Sequence, residues 1–392
     1  MITVAEAKSL IYKNTIQLEP MTMRLENAGG LTLAEDIHAS CDIPAFRQSS
    51  MDGYALKFED MDKALVVVGE MAAGTALPIS IQQGETCRIF TGAPLPEGAD
   101  TVVMQEKVVL ENDRIIVQDK NLQKGANVRA QGAEIKATQL AMKKGTLLSP
   151  AAIGFLAGIG TTELKIFPLP KVSIIVTGKE LQKPGTALKF GQVYESSSYS
   201  LGAALKAEGI LEVALFEADD HPDLITELLQ RALIDSDVVL MTGGVSVGDY
   251  DFVIEASQRC AVQQVFHKVK QKPGKPLFFG TKGSKLIFGL PGNPASVLSC
   301  YYNYVLPALK QLSQQKNSAT ELPAKLGRDY QKTAGLTHFL KGSYANGEAT
   351  PLDAQESFRL SSFAQANCLI CLTEMQELVM AGEPVSVILL PL

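Results

Sequence analysis

Three apolar runs end directly in glycine turns: SIIVTG at Gly178, VVLMTGG at Gly243 and Gly244, and LIFGLPGN at Gly292. Glycine at a strand end lets backbone N–H groups approach a ligand, and a helix starting there adds partial positive charge, which together make a phosphate cradle. A tight strand-to-helix connection without a ligand explains each turn singly; three in one stretch of chain argue for a shared site. The segment HKVKQKPGKP adds four ammonium groups, Lys268, Lys270, Lys272 and Lys275. Alternate spacing puts the first three on one face of an extended strand, as on a solvated edge strand, whereas Pro273 and Gly274 fix a turn that aims Lys272 and Lys275 at one anion. Carboxylates stand beside the same turns: Glu180, Asp219, Asp220, Asp249 and Asp251. Such oxygen ligands suit Mg²⁺, which takes one or two carboxylates and fills its other positions with phosphate oxygens and water. Capping of helix N-termini is the alternative reading for Asp220 and Asp251. Asp52 in SSMDGYA and Thr91 in IFTGAPLPEGAD each precede a glycine and read as ordinary turn residues when taken alone.

The elements that must position these residues follow from periodicity. Residues 171–312 alternate near-continuous apolar strands with helical runs, the text of a parallel-rich sheet covered on both faces, whose ligands sit beyond the carboxyl ends of the strands. Before it, residues 1–170 open with a helix signalled by the capping box Thr3–Glu6 and ending near Asn14. Short β-rich runs between Gly and Pro turns over 45–145 predict an inserted β-rich domain, and Ser149-Pro150 marks the next helix start. Polar text at 313–323 reads as a linker, and 323–392 as a small β-rich domain.

A chain of 392 residues with 46% hydrophobic and 20% charged residues builds a sizeable core, and its length predicts two or three domains. A net charge of −6 gives no global attraction to nucleic acid or to an anionic membrane, so anion binding must come from local cations. The absence of a membrane-length apolar run predicts a cytoplasmic protein. Six scattered cysteines predict reduced thiols, and Cys368 with Cys371, a CxxC lacking a second ligand pair, predicts buried strand residues rather than a zinc site.

In their order and intervals, SSMDGYA, FTGAPLPEGADTVVMQE, TGGVSVGDYDF, KPGKP and GLPGNPAS resemble the molybdopterin molybdenumtransferase family, which includes the E domain of gephyrin. The match spans nearly the whole chain and lies in loop text, which shared core composition does not produce. The resemblance implies an elongated homodimer of α/β and β multidomain fold: a mixed N-terminal region with its inserted β domain, a molybdopterin-binding α/β domain and a C-terminal β-barrel-like domain. It implies a reaction in which adenylylated molybdopterin and molybdate, with Mg²⁺, give molybdenum cofactor and AMP. A molybdopterin adenylyltransferase then acts upstream, and molybdoenzymes or their chaperones receive the product.

By the same resemblance Asp52, Thr91, Glu180, Asp220, Asp251, Lys268 and Lys272 are the catalytic set, with Glu180, Asp220 and Asp251 on the metal. Substrate and molybdate fall to Gly243, Gly244, Ser246, Lys272, Lys275, Pro276, Gly292, Asn293, Lys341 and Ser357. No nucleophilic side chain is needed, since positioning and charge neutralisation carry such chemistry. The chain departs from the family's text where TGKEL puts Lys179 in place of a carboxylate, YESS lacks an asparagine, and RAQGAE has Ala133 for an acid. Lys341 aligns with an arginine, and Glu356 with a glycine. These departures motivate the alternative of a diverged paralogue that binds or carries molybdopterin without inserting metal. A scaffold that docks a partner through its C-terminal domain is a third reading, without a motif of its own.

Overall fold

The computed structural model describes residues 1–244 and 252–391; Ser246, Asp249 and Asp251 lie outside them. The chain divides into two compact units, Met1–Met21 with Gly30–Thr32 and Ile166–Leu392, and Thr22–Gly29 with Leu33–Lys165. Helix α1, Val4–Asn14, begins at the predicted capping box: Thr3 Oγ1 accepts the Glu6 N–H, and Glu6 Oε2 accepts the Thr3 N–H. Ala7 and Ile11, one helical turn apart, are buried in the main core of the first unit.

The second unit is built on a six-stranded sheet. Its strands are β1 Gly53–Leu56, β2 Leu65–Met71, β3 Glu85–Ile89, β4 Thr101–Met104, β5 Val108–Glu111 and β6 Arg114–Val117, in the order β4-β1-β3-β2-β6-β5. Alternation along the strands feeds two cores, Ala55, Cys87 and Val102 in one and Leu56, Leu65 and Val103 in the other. Ser149 caps helix α2, Pro150–Gly158, by accepting the Ala152 N–H, with Pro150 in the first turn where its missing donor costs nothing.

The first unit resumes with β7 Val172–Thr177, α3 Ser197–Ala207, β8 Val213–Ala218, α4 Pro222–Asp235, β9 Val238–Thr242 and α5 Phe252–Arg259. Then come β10 Gln263–His267, β11 Gln271–Lys272, β12 Phe278–Lys282, β13 Lys285–Leu290, α6 Pro294–Cys300 and α7 Leu306–Leu312. Strands β8-β7-β9-β13 are parallel, and β12 and β10 extend the sheet antiparallel. Val172, Ile174 and Val176 face the core that holds α1 and residues of α3, α6 and α7, while Ile175, Val239 and Met241 face α4 and α5. Burial on both faces is why these strands read as unbroken apolar runs.

Five strands close the C-terminal part: β14 Glu321–Leu326, β15 Thr337–Ala345, β16 Glu348–Pro351, β17 Cys368–Leu372 and β18 Pro384–Leu389. The order β15-β16-β14-β18-β17 returns through β15–β17 pairing, which makes the sheet a closed barrel without free edges. The short β11 adds to β15 from outside, Lys272 opposite His338. Cys368 and Cys371 sit on β17, and burial pushes their thiols up to about 12 and about 11, as expected of strand residues rather than metal ligands. No helix among the described residues is long and apolar enough to cross a membrane.

Candidate functional site

The parallel strands β7, β9 and β13 end side by side, and the turns after them open on a cavity of about 940 Å³. Gly178, Gly243, Gly244 and Gly292 all line it, so the three glycine turns of the sequence do share one site. Gly243 has φ +84°, and a Cβ there would overlap the Thr177 carbonyl oxygen and stand 2.8 Å from Thr177 Oγ1. Only glycine lets the ends of β7 and β9 close in this way.

One wall is basic. Lys272, Lys275 and Pro276 line the cavity on a turn braced from within by buried Gln271, whose amide donates to the Gly274 carbonyl at 3.1 Å and accepts from the Tyr304 hydroxyl. The Lys272–Pro273 peptide is cis. The single-face strand expected for Lys268, Lys270 and Lys272 does not form: Lys268 takes φ +71°, which breaks the extended run, and only Gln271–Lys272 pairs as strand. Lys268 and Lys270 are not among the cavity residues; of the lysines, the cavity is lined by Lys272 and Lys275.

Acidic residues line the same cavity, Glu180 and Asp220. Burial raises the Asp220 carboxyl above its usual range; the Lys179 backbone N–H pulls it back, while the Glu180 charge raises it further and the Lys179 ammonium lowers it. Two neighbouring carboxylates, Asp220 partly withdrawn from water and Glu180 exposed, fit a hard divalent cation that takes few protein ligands and completes its shell with phosphate and water. Among the described residues no group of three or more His, Cys, Asp or Glu side chains is placed to hold a metal.

A further part of the lining joins the sheet to the barrel. Asn293 Nδ2 donates to Ser357 Oγ at 2.9 Å, and Gln355 and Phe358 flank them at the cavity. Glu356 does not stand there as an isolated charge, because Arg359 Nε meets its carboxylate at 3.1 Å. Lys341, expected on the anion, is only 4% exposed and does not line the cavity; its ammonium donates to the backbone carbonyls of Ala354, Glu356 and Arg359. Burial lowers its pKa.

Asp52 and Thr91 lie in the other unit and meet there across 39 residues of sequence. Asp52 Oδ1 accepts both the Thr91 N–H and the Thr91 hydroxyl at 2.7 Å, and these bonds, with the nearby Arg88, hold the Asp52 carboxyl below its usual range. The pair is thus one feature rather than two separate turns.

Glu195, Gln355 and Phe358 also line the cavity, outside the candidate residues of the sequence. Glu195 lines the cavity and, from just before the N-cap Ser196, accepts the Ser198 N–H at 2.8 Å in the first turn of α3. No local pattern marks Gln355 or Phe358.

Models of known families match the chain in three consecutive stretches. These are the MoeA N-terminal region (domain I and II) at residues 2–160, a probable molybdopterin binding domain at 173–311, and the MoeA C-terminal region (domain IV) at 323–390. Among curated relatives, the molybdopterin molybdenumtransferase of Nostoc sp. is 32% identical over 403 residues, covering 98% of this chain and 92% of its own. That of Haemophilus influenzae is 31% identical over 397 residues, covering 99% and 98%. The solved molybdopterin biosynthesis MoeA protein of Pyrococcus horikoshii superposes with a TM-score of 0.85 at 29% identity, over 99% of each chain. With its three-part architecture, its shared loop text and these full-length matches, the chain belongs to the MoeA family of molybdopterin molybdenumtransferases.

Proposed function

We propose that the chain inserts molybdenum from molybdate into adenylylated molybdopterin, releasing molybdenum cofactor and AMP. Family membership supports transferase activity in molybdenum cofactor biosynthesis. The observation that carries the narrower reading is one cavity lined by two lysines, two carboxylates and three glycine turns at strand ends. Molybdate is a dianion, and the ammonium groups of Lys272 and Lys275 draw it to the basic wall, where Pro276, Gly292, Asn293 and Ser357 shape its seat. The backbone at Gly243 and Gly244 takes phosphate oxygens at the end of β9. Glu180 and Asp220 would hold Mg²⁺, which when bound neutralises phosphate charge as the adenylate is cleaved. Asp52, hydrogen-bonded by Thr91 within its own unit, belongs to the catalytic set by resemblance; Lys268, away from the cavity lining, acts at most through the field of its charge. Ser246 and Asp251 complete the resemblance from outside the described residues.

Cytoplasmic location, a homodimeric state, an upstream molybdopterin adenylyltransferase and downstream molybdoenzymes or their chaperones belong to the same proposal. Single-turnover AMP release from adenylylated molybdopterin, with Mg²⁺ and either molybdate or buffer, tests it. Molybdate-dependent release is expected, and its absence would overturn the insertion reading. One observation favours the carrier alternative: the Lys179 ammonium lies in the field of Asp220, where it competes with a metal. Tight binding of the adenylate without release is the result that reading requires.

A further inference from the structure

Lys341 occupies the middle of β15, opposite Leu369 of β17, with its side chain inside the protein. Its ammonium has three protons and meets three carbonyls, those of Ala354 at 2.7 Å, Glu356 at 3.3 Å and Arg359 at 3.1 Å. All three belong to one short segment, and an ammonium so occupied has no proton left for a ligand. Ser362 Oγ reinforces the same arrangement, donating to the Ala354 carbonyl at 2.8 Å and contacting that of Arg359 at 3.3 Å. Gln355 ties the segment to the strand, accepting the Lys341 N–H at 3.0 Å and donating to its carbonyl at 2.8 Å. The carbonyls of residues 354, 356 and 359 therefore turn inward around a buried cation, while Gln355, Ser357 and Phe358 of the same segment line the cavity. A backbone that turns its carbonyls to one side presents N–H groups on the other, the arrangement of an anion-binding nest. Among the described residues the N–H groups of Ser357 and Phe358 donate to no protein acceptor.

We propose that Lys341 is a positioning residue, which acts on the anion by shaping the 354–359 segment around its ammonium so that Ser357 meets Asn293 and the segment's N–H groups face the oxyanion. The inference rests on the reading of the cavity as a molybdate site. It assigns Lys341 a task different from that of Lys272, although both are lysines within one site region. Lys272 is an exposed cation that the anion meets directly; Lys341 is buried.

The test compares Lys341→Met, Ser362→Ala and Lys272→Met in the full-length protein. Amide hydrogen exchange of a peptide spanning 352–361 is measured without ligand, and molybdate affinity is measured by calorimetry. Lys341→Met is expected to speed exchange in this segment at least tenfold and to weaken molybdate binding at least tenfold. Ser362→Ala should do both in smaller measure with the ammonium intact, and it keeps the test open if Lys341→Met does not fold. Lys272→Met should weaken binding and leave the exchange unchanged. Weaker binding in Lys341→Met with unchanged exchange would show direct contact and overturn the inference, as would faster exchange in either segment variant with unchanged affinity. A wild-type protein that binds no molybdate overturns the anion reading, and this inference with it; a wild type that binds beside a Lys341→Met variant that binds equally overturns the inference alone.

Discussion

Two glycines of the same cavity should respond in opposite ways to a single added methyl group. At Gly243 the φ of +84° puts an alanine in the left-handed region, which costs roughly 1–2 kcal/mol. The new Cβ also overlaps the Thr177 carbonyl oxygen and crowds Thr177 Oγ1, and relief requires β7 and β9 to separate. Overpacking of this kind adds about 1–3 kcal/mol, so Gly243→Ala should lose about 2–5 kcal/mol, a fall in Tm on the order of 10 °C for a unit of this size. At Gly292 an added Cβ meets nothing within 4 Å, so Gly292→Ala should hold its Tm within about 1–2 °C. In the proposed molybdate seat that methyl group would take up ligand space, and molybdate affinity should fall although the fold is intact. Thermal unfolding by circular dichroism and molybdate calorimetry on both variants decide the matter. A Gly243→Ala protein with the wild-type Tm would refute the packing argument. Wild-type affinity in Gly292→Ala would remove that turn from the ligand site.

Two further outcomes follow from charges in the first unit. His338 is buried and lies near Lys332 and Lys272, so its pKa falls from 6.5 to about 4. The unfolded chain takes up a proton below pH 6.5 that the folded one refuses until about pH 4, so wild-type stability should fall by about 2 kcal/mol from this group between pH 7 and pH 5. His338→Leu should flatten that slope in urea unfolding followed at both pH values, and parallel slopes in the two proteins would sink the assignment. Near the acidic residues of the cavity, Lys179→Met removes a cation that favours ionised Asp220 and competes with a metal, so Mg²⁺ affinity by calorimetry should rise about two- to fivefold, as suits an exposed charge; weaker binding would show that Lys179 assists the metal instead.

Local chemistry was the part of this molecule that its sequence made readable. Thr3 with Glu6 and Ser149 with Pro150 each involve residues within one turn, and each starts its helix as the spacing requires. The doubly covered sheet was readable because burial on two faces leaves unbroken apolar runs such as VVLMT. The glycine turns converge because parallel strands in one sheet must end on the same side. What failed depended on single backbone angles or distant pairings. Three lysines in alternation, Lys268, Lys270 and Lys272, suggested one face, but the left-handed residue at Lys268 is invisible in composition. The Asp52–Thr91 and Asn293–Ser357 contacts join residues 39 and 64 apart, and they exist only through strand register and barrel placement. Lys341 aligned with a ligand position, yet the chain folds its own carbonyls around that charge.

The outlying pairing of β11 with β15 has a bearing on how the molecule is made. Gln271 and Lys272 precede strands of the parallel sheet in the chain, but their hydrogen-bonding partners are Thr337 and His338, more than sixty residues later. On the ribosome the strands that carry the glycine turns emerge and pair with one another long before the basic wall, or Asn293 beside Gly292, has its later partner. A nascent chain halted before residue 337 would carry a finished sheet with its key lysine strand unpaired, so the capacity to hold an anion should arrive only with the last part of translation.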